Sequence, residues 1–255
     1  MTKRIEDLKI TENTRLNKDI FILGLSGNSS LPEMRPGQFA QIKVEGSPGT
    51  FLRRPFSIHD VDYERNTFRL LIQIAGDGTE TLSKLRKGDT LNLIYPLGNS
   101  FSVPEKNKRI LLAGGGCGVA PLLFLAKYLK SHGLNADILL GYRNSERIIE
   151  SGEFSAIGNV FIATEDGSEG EKGLLTDHPL LKKESFDVIY CCGPVTMMKT
   201  VAVYCRKRNI SCEVSLENLM GCGIGACLCC VVETTEGNML TCTDGPVFNI
   251  NVLKW

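Results

Sequence analysis

Short runs rich in apolar residues recur along the first hundred residues, a pattern typical of β-strands. Gly and Pro interrupt these runs at Pro36-Gly37, Pro48-Gly49 and Gly88-Asp89, as expected of turns between strands. The predicted strands cover residues 21–25, 38–44, 67–74 and 90–95, with one short helix over about 79–86. Many short strands with a single helix predict a small antiparallel β-barrel over residues 1–102.

The hydrophobic pattern changes near Pro104. A buried strand is predicted over 108–113, and it leads into a glycine-rich turn at 114–118. Two helices are then predicted from the 3.6-residue spacing of apolar side chains, at Val119, Leu122, Leu123, Ala126 and at Met198, Val201, Ala202, Cys205. Further strands are predicted over 137–141, 159–164, 187–191 and 212–216. Strands that alternate with helices predict a parallel sheet over residues 103–215, with ligands at the carboxyl ends of its strands.

Composition narrows the function classes. The 255 residues carry 29 Lys and Arg against 29 Asp and Glu, so no charge excess indicates a nucleic-acid partner. No apolar run approaches the length of a membrane span. The charged residues after Met1 do not form an export signal. Ten cysteines without such a signal indicate a reducing compartment, which we expect to be the cytoplasm, and a metal or redox use of the thiols.

The most specific motif is a cysteine-rich segment within a predicted C-terminal module, residues 216–255. Cys222, Cys227 and Cys230 have the spacing C-x4-C-x2-C, and Cys242 follows further along the chain. This is the plant-type ligand spacing of a [2Fe–2S] cluster, which needs four thiolates on two irons. Interspersed glycines allow a loop to turn tightly around such a group. Cys229 does not fit the spacing and is predicted to point away.

Three other interpretations of these thiols stay open at this point. Structural zinc sites usually contain two C-x2-C pairs, whereas only one pair here has that spacing in the motif. Disulfides suit a secreted chain, for which the N-terminus offers no signal. The thiols could also be inert core residues. The combined spacing and glycine content favour the iron–sulfur cluster.

Two further motifs are weak when taken singly. Arg54-Pro-Phe-Ser57 is by composition alone most typical of a surface turn. Gly76-Asp-Gly78-Thr79 precedes the short predicted helix, so it fits either a phosphate site or an ordinary helix cap.

The order of the motifs resembles the ferredoxin–NADP reductase superfamily. The resemblance rests on Arg54-Pro-Phe-Ser57, Gly76-x-Gly-Thr79, a strand followed by Gly114-Gly-Gly-x-Gly118-x-Ala-Pro, and Cys192-Gly-Pro194. It implies an FAD-binding barrel followed by a nucleotide-binding α/β domain, without a side chain acting as a strong acid or base. The implied FAD residues are Arg54, Pro55, Phe56, Ser57, Leu71, Ile72, Gln73, Gly78 and Thr79. The implied NAD residues are Gly114, Gly115, Gly116, Gly118, Cys192, Gly193 and Pro194.

With the C-terminal cysteines included, the whole chain resembles the electron-transfer subunits of dihydroorotate dehydrogenase B. The added motifs are Glu217-x-x-Met-x-Cys222-Gly-x-Gly-x-Cys227-x-x-Cys230 and the segment from Cys242 to Phe248. The resemblance implies that electrons pass through a [2Fe–2S] cluster and FAD to NAD+. It also implies that the cluster ligands are Cys222, Cys227, Cys230 and Cys242. It also implies an FMN-containing catalytic subunit that oxidises dihydroorotate to orotate in pyrimidine biosynthesis, in a heterotetramer of two copies each.

Two alternatives remain beside this interpretation. A similarly built chain serves as the flavin subunit of NADH-dependent ferredoxin–NADP oxidoreductase or of sulfide dehydrogenase. A non-enzymatic nucleotide-binding module with structural zinc belongs to a different class. We expect NAD rather than NADP, although residues 142–147 carry both charge signs, and we expect the loop over 221–228 to contact a partner.

Overall fold

The first hundred residues form a closed antiparallel barrel in the computed structural model, which describes residues 2–255. Around the barrel the strand order is β1-β2-β5-β4-β3-β6. The strands are β1 (Arg4–Arg15), β2 (Ile20–Ser26), β3 (Phe39–Ile42), β4 (Arg54–Asp62), β5 (Thr67–Gln73) and β6 (Thr90–Leu97), with helix α1 (Asp77–Ser83) after β5. The barrel and the short helix after its fifth strand are therefore confirmed.

Two barrel strands were not predicted. In β1 only Leu8 and Ile10 are buried, because charged and polar residues occupy most other positions and dilute the alternation. In β4 the Arg54-Pro-Phe-Ser57 motif forms the first half of a strand, so its interpretation as a surface turn is wrong. These four residues pair with β3, and the ladder with β5 begins only at Ile58. A proline is tolerated there because one edge of the strand is left without ladder hydrogen bonds.

The second half of the chain forms a seven-stranded sheet in the order β10-β9-β8-β7-β11-β12-β15. Its strands are β7 (Ile110–Gly115), β8 (Ala136–Tyr142), β9 (Val160–Thr164), β10 (Glu171–Lys172), β11 (Val188–Cys192), β12 (Ser211–Ser215) and β15 (Val247–Asn249). The helices between them are α2 (Ala120–Ser131), α3 (Ser151–Ser155), α4 (Leu180–Lys183) and α5 (Val195–Arg208), with 3-10 turns at Gly116–Val119, Ser145–Arg147 and Leu175–Asp177. The predicted parallel pairing is confirmed for the five predicted strands, β7, β8, β9, β11 and β12, and the two-residue strand β10, which was not predicted, adds a sixth parallel strand.

The seventh strand, β15, runs antiparallel to β12 and was not predicted. Its three residues are too short a run to show a period of two. Burial of Val247 and Phe248 shows that the strand closes the sheet edge with apolar side chains.

The segment after Leu216 divides between two compact units. The barrel unit takes Glu217–Val232 and Asn238–Pro246, whereas the sheet unit takes Glu233–Gly237 and Val247–Trp255. Strands β13 (Val231–Thr234) and β14 (Gly237–Leu240) form a two-stranded hairpin within this segment. Within residues 2–255, no helix combines the length and apolar character needed to cross a membrane.

Candidate functional site

The loop after β12 surrounds the thiol of Cys222 with backbone donors. The N–H groups of Ile224, Ala226 and Cys227 donate to Cys222 Sγ at 3.4, 3.3 and 3.4 Å. Sulfur accepts such bonds best as a thiolate, because charge-assisted hydrogen bonds are the stronger ones. The loop thus forms a ready site for a negatively charged sulfur.

The other two cysteines of the motif lie in an apolar setting. Cys230 and Cys242 are 2% and 1% exposed and pack with Phe39 and Leu97 of the barrel. Thr241 donates both its backbone N–H and its hydroxyl to the carbonyl of Cys230, at 3.0 and 2.9 Å. This pair of bonds fixes the two cysteine-bearing segments against each other.

Burial, backbone N–H donors and neighbouring thiols shift the pKa values of two of these cysteines. Burial acts to raise the pKa of Cys222, but the N–H donors of the loop and the Cys227 thiol outweigh it and lower the pKa to about 6. Burial, the Cys230 thiol and the nearby Cys222 raise the pKa of Cys242 to about 12. Cys222 therefore neighbours Cys227, and Cys242 neighbours both Cys230 and Cys222.

This arrangement fits a two-iron cluster. Among the described residues no group of three or more His, Cys, Asp or Glu side chains is arranged to hold a metal ion. A [2Fe–2S] cluster distributes four thiolates over two irons, so its ligands need not converge on one point. Two neighbouring thiol pairs with N–H donors around one sulfur match that requirement. Cys229, predicted to point away, is exposed at the surface, and so is Cys227, whereas Cys222 is partly buried.

A buried glutamine that packs against the loop was not predicted from the sequence. Gln41 of β3 is fully buried, and a Cβ placed on Gly223 would lie 2.7 Å from Gln41 Cγ and 2.9 Å from Nε2. Gly223 also has φ of +71°, which disfavours any other residue. The two residues are some 180 positions apart, and no local motif marks Gln41. Only the alternation of β3, which places Phe39 and Gln41 on one face, could have indicated it.

Exposed apolar side chains concentrate around the cysteine loop. Half of the large exposed hydrophobic residues in the described part of the chain fall at 51–52 and 219–231. They are Phe51, Leu52, Leu219, Ile224, Leu228 and Val231. A Cβ on Gly221 would lie 3.9 Å from Leu52 Cδ1, so the barrel loop adjoins the cysteine loop. Grouped apolar exposure of this kind marks interaction surfaces.

The residues implied in FAD binding occupy three neighbouring elements of the barrel unit. Arg54, Pro55, Phe56 and Ser57 are half-buried on the part of β4 that pairs only with β3. The guanidinium of Arg54 donates to the Leu52 carbonyl at 2.9 Å, which holds it at the strand end. The remaining residues are Leu71, Ile72 and Gln73 at the end of β5 and Gly78 and Thr79 in α1.

The start of α1 serves partly as its own cap. Thr79 Oγ1 accepts the N–H groups of Ala75 and Gly76 at 2.8 and 3.2 Å. Gly78 lies against Thr50, which a Cβ would approach to within 3.0 Å. The capping role of the Thr79 hydroxyl is thus visible in the geometry. A phosphate here would have to be held by backbone N–H groups, which the first turn of a helix leaves free.

The residues implied in nucleotide binding meet at the carboxyl ends of two paired strands. Gly114 pairs with Cys192 across β7 and β11. A Cβ on Gly118 would lie 2.4 Å from the Cys192 carbonyl, so only glycine lets the turn after β7 approach β11. Gly115 is the last residue of β7 and Gly116 begins the turn, while Gly193 and Pro194 follow β11. Two glycine-containing turns at such a strand edge are typical of a nucleotide site.

Two family models match parts of the chain. Residues 7–101 match the model of the oxidoreductase FAD-binding domain. Residues 217–254 match the model of the iron–sulfur cluster binding domain of dihydroorotate dehydrogenase B.

Individual proteins match nearly the whole chain. An electron transfer subunit of dihydroorotate dehydrogenase B (NAD(+)) from Caldanaerobacter subterraneus is 39% identical, covering 94% of each chain. The subunit of the same name from Clostridium acetobutylicum is also 39% identical, covering 94% of this chain and 93% of its own. A solved structure of an NADH-dependent reduced ferredoxin-NADP oxidoreductase is 31% identical with a TM-score of 0.89, covering 97% of this chain and 90% of that one.

Proposed function

Because the chain belongs to the family of dihydroorotate dehydrogenase B electron-transfer subunits, we propose that it carries electrons between a catalytic partner subunit and NAD+. The observation that carries the proposal is the grouping of four cysteines within the segment matched by the cluster-binding model, three in the loop after β12 and Cys242 in the turn after β14. Bound FAD and [2Fe–2S] supply the chemistry, since a flavin exchanges electrons in pairs or singly and the cluster exchanges them singly.

In this proposal the protein's residues bind and orient the cofactors. Cys222, Cys227, Cys230 and Cys242 hold the two irons, and the N–H donors at Cys222 stabilise negative charge on sulfur. The free strand edge at residues 54–57 and the start of α1 hold FAD, with Leu71, Ile72 and Gln73 along the flavin. The turns after β7 and β11 hold the nicotinamide nucleotide. We propose the ranges 1–102, 103–215 and 216–255 as the segments contributing to the three sites.

The partner is proposed to be an FMN-containing subunit that oxidises dihydroorotate in pyrimidine biosynthesis, with two copies of each chain. The apolar side chains around the cysteine loop support docking of such a subunit close to the cluster. A reducing compartment such as the cytoplasm suits a protein that depends on free thiols.

The decisive experiment is reconstitution. Purified anaerobically, the chain should contain about one FAD and two irons with matching acid-labile sulfide. It should reduce artificial dyes with NADH but lack dihydroorotate-dependent NAD+ reduction until an FMN-containing dihydroorotate dehydrogenase subunit is added. Dihydroorotate oxidation by the chain alone would contradict the proposal, and zinc in place of iron and sulfide would support the non-enzymatic alternative.

The nucleotide preference is tested in the same assay. We propose NAD, and the steady-state rate of dye reduction should be higher with NADH than with NADPH. A clear preference for NADPH would contradict this assignment.

A second candidate function follows from the 31% identical solved structure. The chain could serve as the corresponding subunit of an NADH-dependent ferredoxin–NADP oxidoreductase. The relatives at 39% identity favour the first proposal. Affinity purification of the tagged chain from its source cells separates the two, since the co-purifying subunit should bind either dihydroorotate or ferredoxin.

A further inference from the structure

Gln41 has a buried amide without a hydrogen-bond partner. Its side chain is fully buried, and neither Nε2 nor Oε1 is hydrogen-bonded to any residue that the structure describes. A buried amide left in this state is unfavourable, and native proteins rarely keep one without a reason. The nearby Gln38 shows the usual situation, since its Oε1 accepts the N–H of Arg35 and its Nε2 donates to the Gly98 carbonyl.

The position of Gln41 indicates which group would satisfy the amide. It lies two residues from Phe39 on β3, on the same face. Phe39 packs against Cys230 and Cys242, and Gln41 packs against Gly223, the residue next to Cys222. One face of β3 therefore underlies both thiol pairs, and the unpartnered amide belongs to that face.

We propose that Gln41 donates a side-chain N–H to a sulfur of the [2Fe–2S] cluster and thereby raises its reduction potential. This inference rests on the proposed function, since it requires the cluster. Reduction adds a negative charge to the cluster, and a hydrogen bond to sulfur stabilises the more negative state. Gly223 allows Gln41 to lie this close to the loop, because any side chain at position 223 would collide with the amide and displace it.

The test is an anaerobic redox titration monitored by EPR. Gln41→Leu removes the amide at similar volume, and Gln41→Glu replaces the donor by a carboxylate. Both should lower the cluster's midpoint potential. For Gln41→Leu we expect about a tenfold shift in the oxidised-to-reduced ratio at fixed solution potential, about 59 mV for a one-electron group. Gln38→Leu is the matched control, and it should lower stability without moving the cluster potential.

Two further measurements exclude a merely structural role. In the cluster-free protein Gln41→Leu should raise the melting temperature, because the unpartnered amide is removed; a packing role predicts a decrease. Pulsed EPR of the reduced wild-type protein labelled with 15N-glutamine should show a nitrogen coupling that is lost in Gln41→Leu.

An unchanged potential with an intact cluster would overturn the inference, as would a shift confined to the flavin. The proposed function would fail differently, through the absence of iron and sulfide from the wild-type protein. If Gln41→Leu does not fold, the potential of Gln41→Glu and the 15N coupling of the wild type decide the question.

Discussion

Two cysteines of the barrel unit are as deeply buried as most cysteines of the sheet unit, but the two groups of cysteines have different surroundings. Cys230 and Cys242 are as buried as Cys191, Cys205 and Cys212, all at 2% exposure or less. In the sheet unit, burial and neighbouring thiols raise the pKa of Cys191, while a bond to the Cys205 thiol and burial raise that of Cys212. In the barrel unit, backbone N–H groups converge on Cys222. Burial alone therefore does not separate the cysteines of the C-terminal motif from the packed thiols of the sheet unit, whereas the backbone N–H donors converge on a cysteine of the motif.

The largest expected effect separates these two cysteine groups. Cys222→Ser, Cys227→Ser, Cys230→Ser and Cys242→Ser should each abolish [2Fe–2S] binding, because each removes one of four thiolates. Iron, acid-labile sulfide and visible absorption measure the loss. Cys229→Ser and Cys205→Ser should keep the cluster. A cluster that survives Cys230→Ser but not Cys229→Ser would contradict the ligand assignment.

The next prediction concerns the backbone of the loop. Gly223→Ala should reduce cluster occupancy and destabilise the protein, since it adds about 1–2 kcal/mol for the left-handed conformation and a collision with Gln41. Gly46→Ala is a matched control: its φ of +75° is similar, and nothing lies within 4 Å of the added Cβ. Thermal melting and iron content of both variants measure the difference. Equal losses in the two variants would show that the collision has no effect.

A third prediction tests the exposed side of the loop. Leu228 is 62% exposed and has φ of +56°, a conformation that aspartate tolerates better than leucine. Leu228→Asp should therefore keep the loop but weaken the dihydroorotate–NAD+ reaction about tenfold, equivalent to about 1.4 kcal/mol of partner binding. NADH-dependent dye reduction should be unchanged. Leu174→Asp, an exposed leucine of the sheet unit, should affect neither reaction.

The smallest effects are expected in the sheet unit. Cys205→Ser should cost about 1–3 kcal/mol of folding free energy through burial of a more polar group, with unchanged iron content.

Because the pKa of Cys191 is raised above its usual value, this thiol stays protonated in the native protein. Its alkylation by iodoacetamide should thus require unfolding and should not increase with pH between 7 and 9. Rapid labelling of native Cys191, read by mass spectrometry, would contradict its packed state.

The sequence by itself determined the features that depend on neighbouring residues. The C-x4-C-x2-C spacing indicated the cluster because the three cysteines share one loop, and that loop supplies its own N–H donors. The apolar runs of β2, β5, β7 and β11 indicated the barrel and the sheet because burial imposes their periodicity.

Only the tertiary structure decided what depends on distant residues. Residues 54–57 pair with β3 alone, because the pairing of β4 with β5 begins only at Ile58. No local sequence pattern indicates where that pairing begins. Strand β15 joins the sheet antiparallel because the chain returns to β12 after the cysteine segment. Gln41 lies against Gly223 because β3 packs against the cysteine loop, which is some 180 residues away in the sequence. Local spacing specifies ligands and turns, whereas the partner of a buried amide is set by which elements the fold brings into contact.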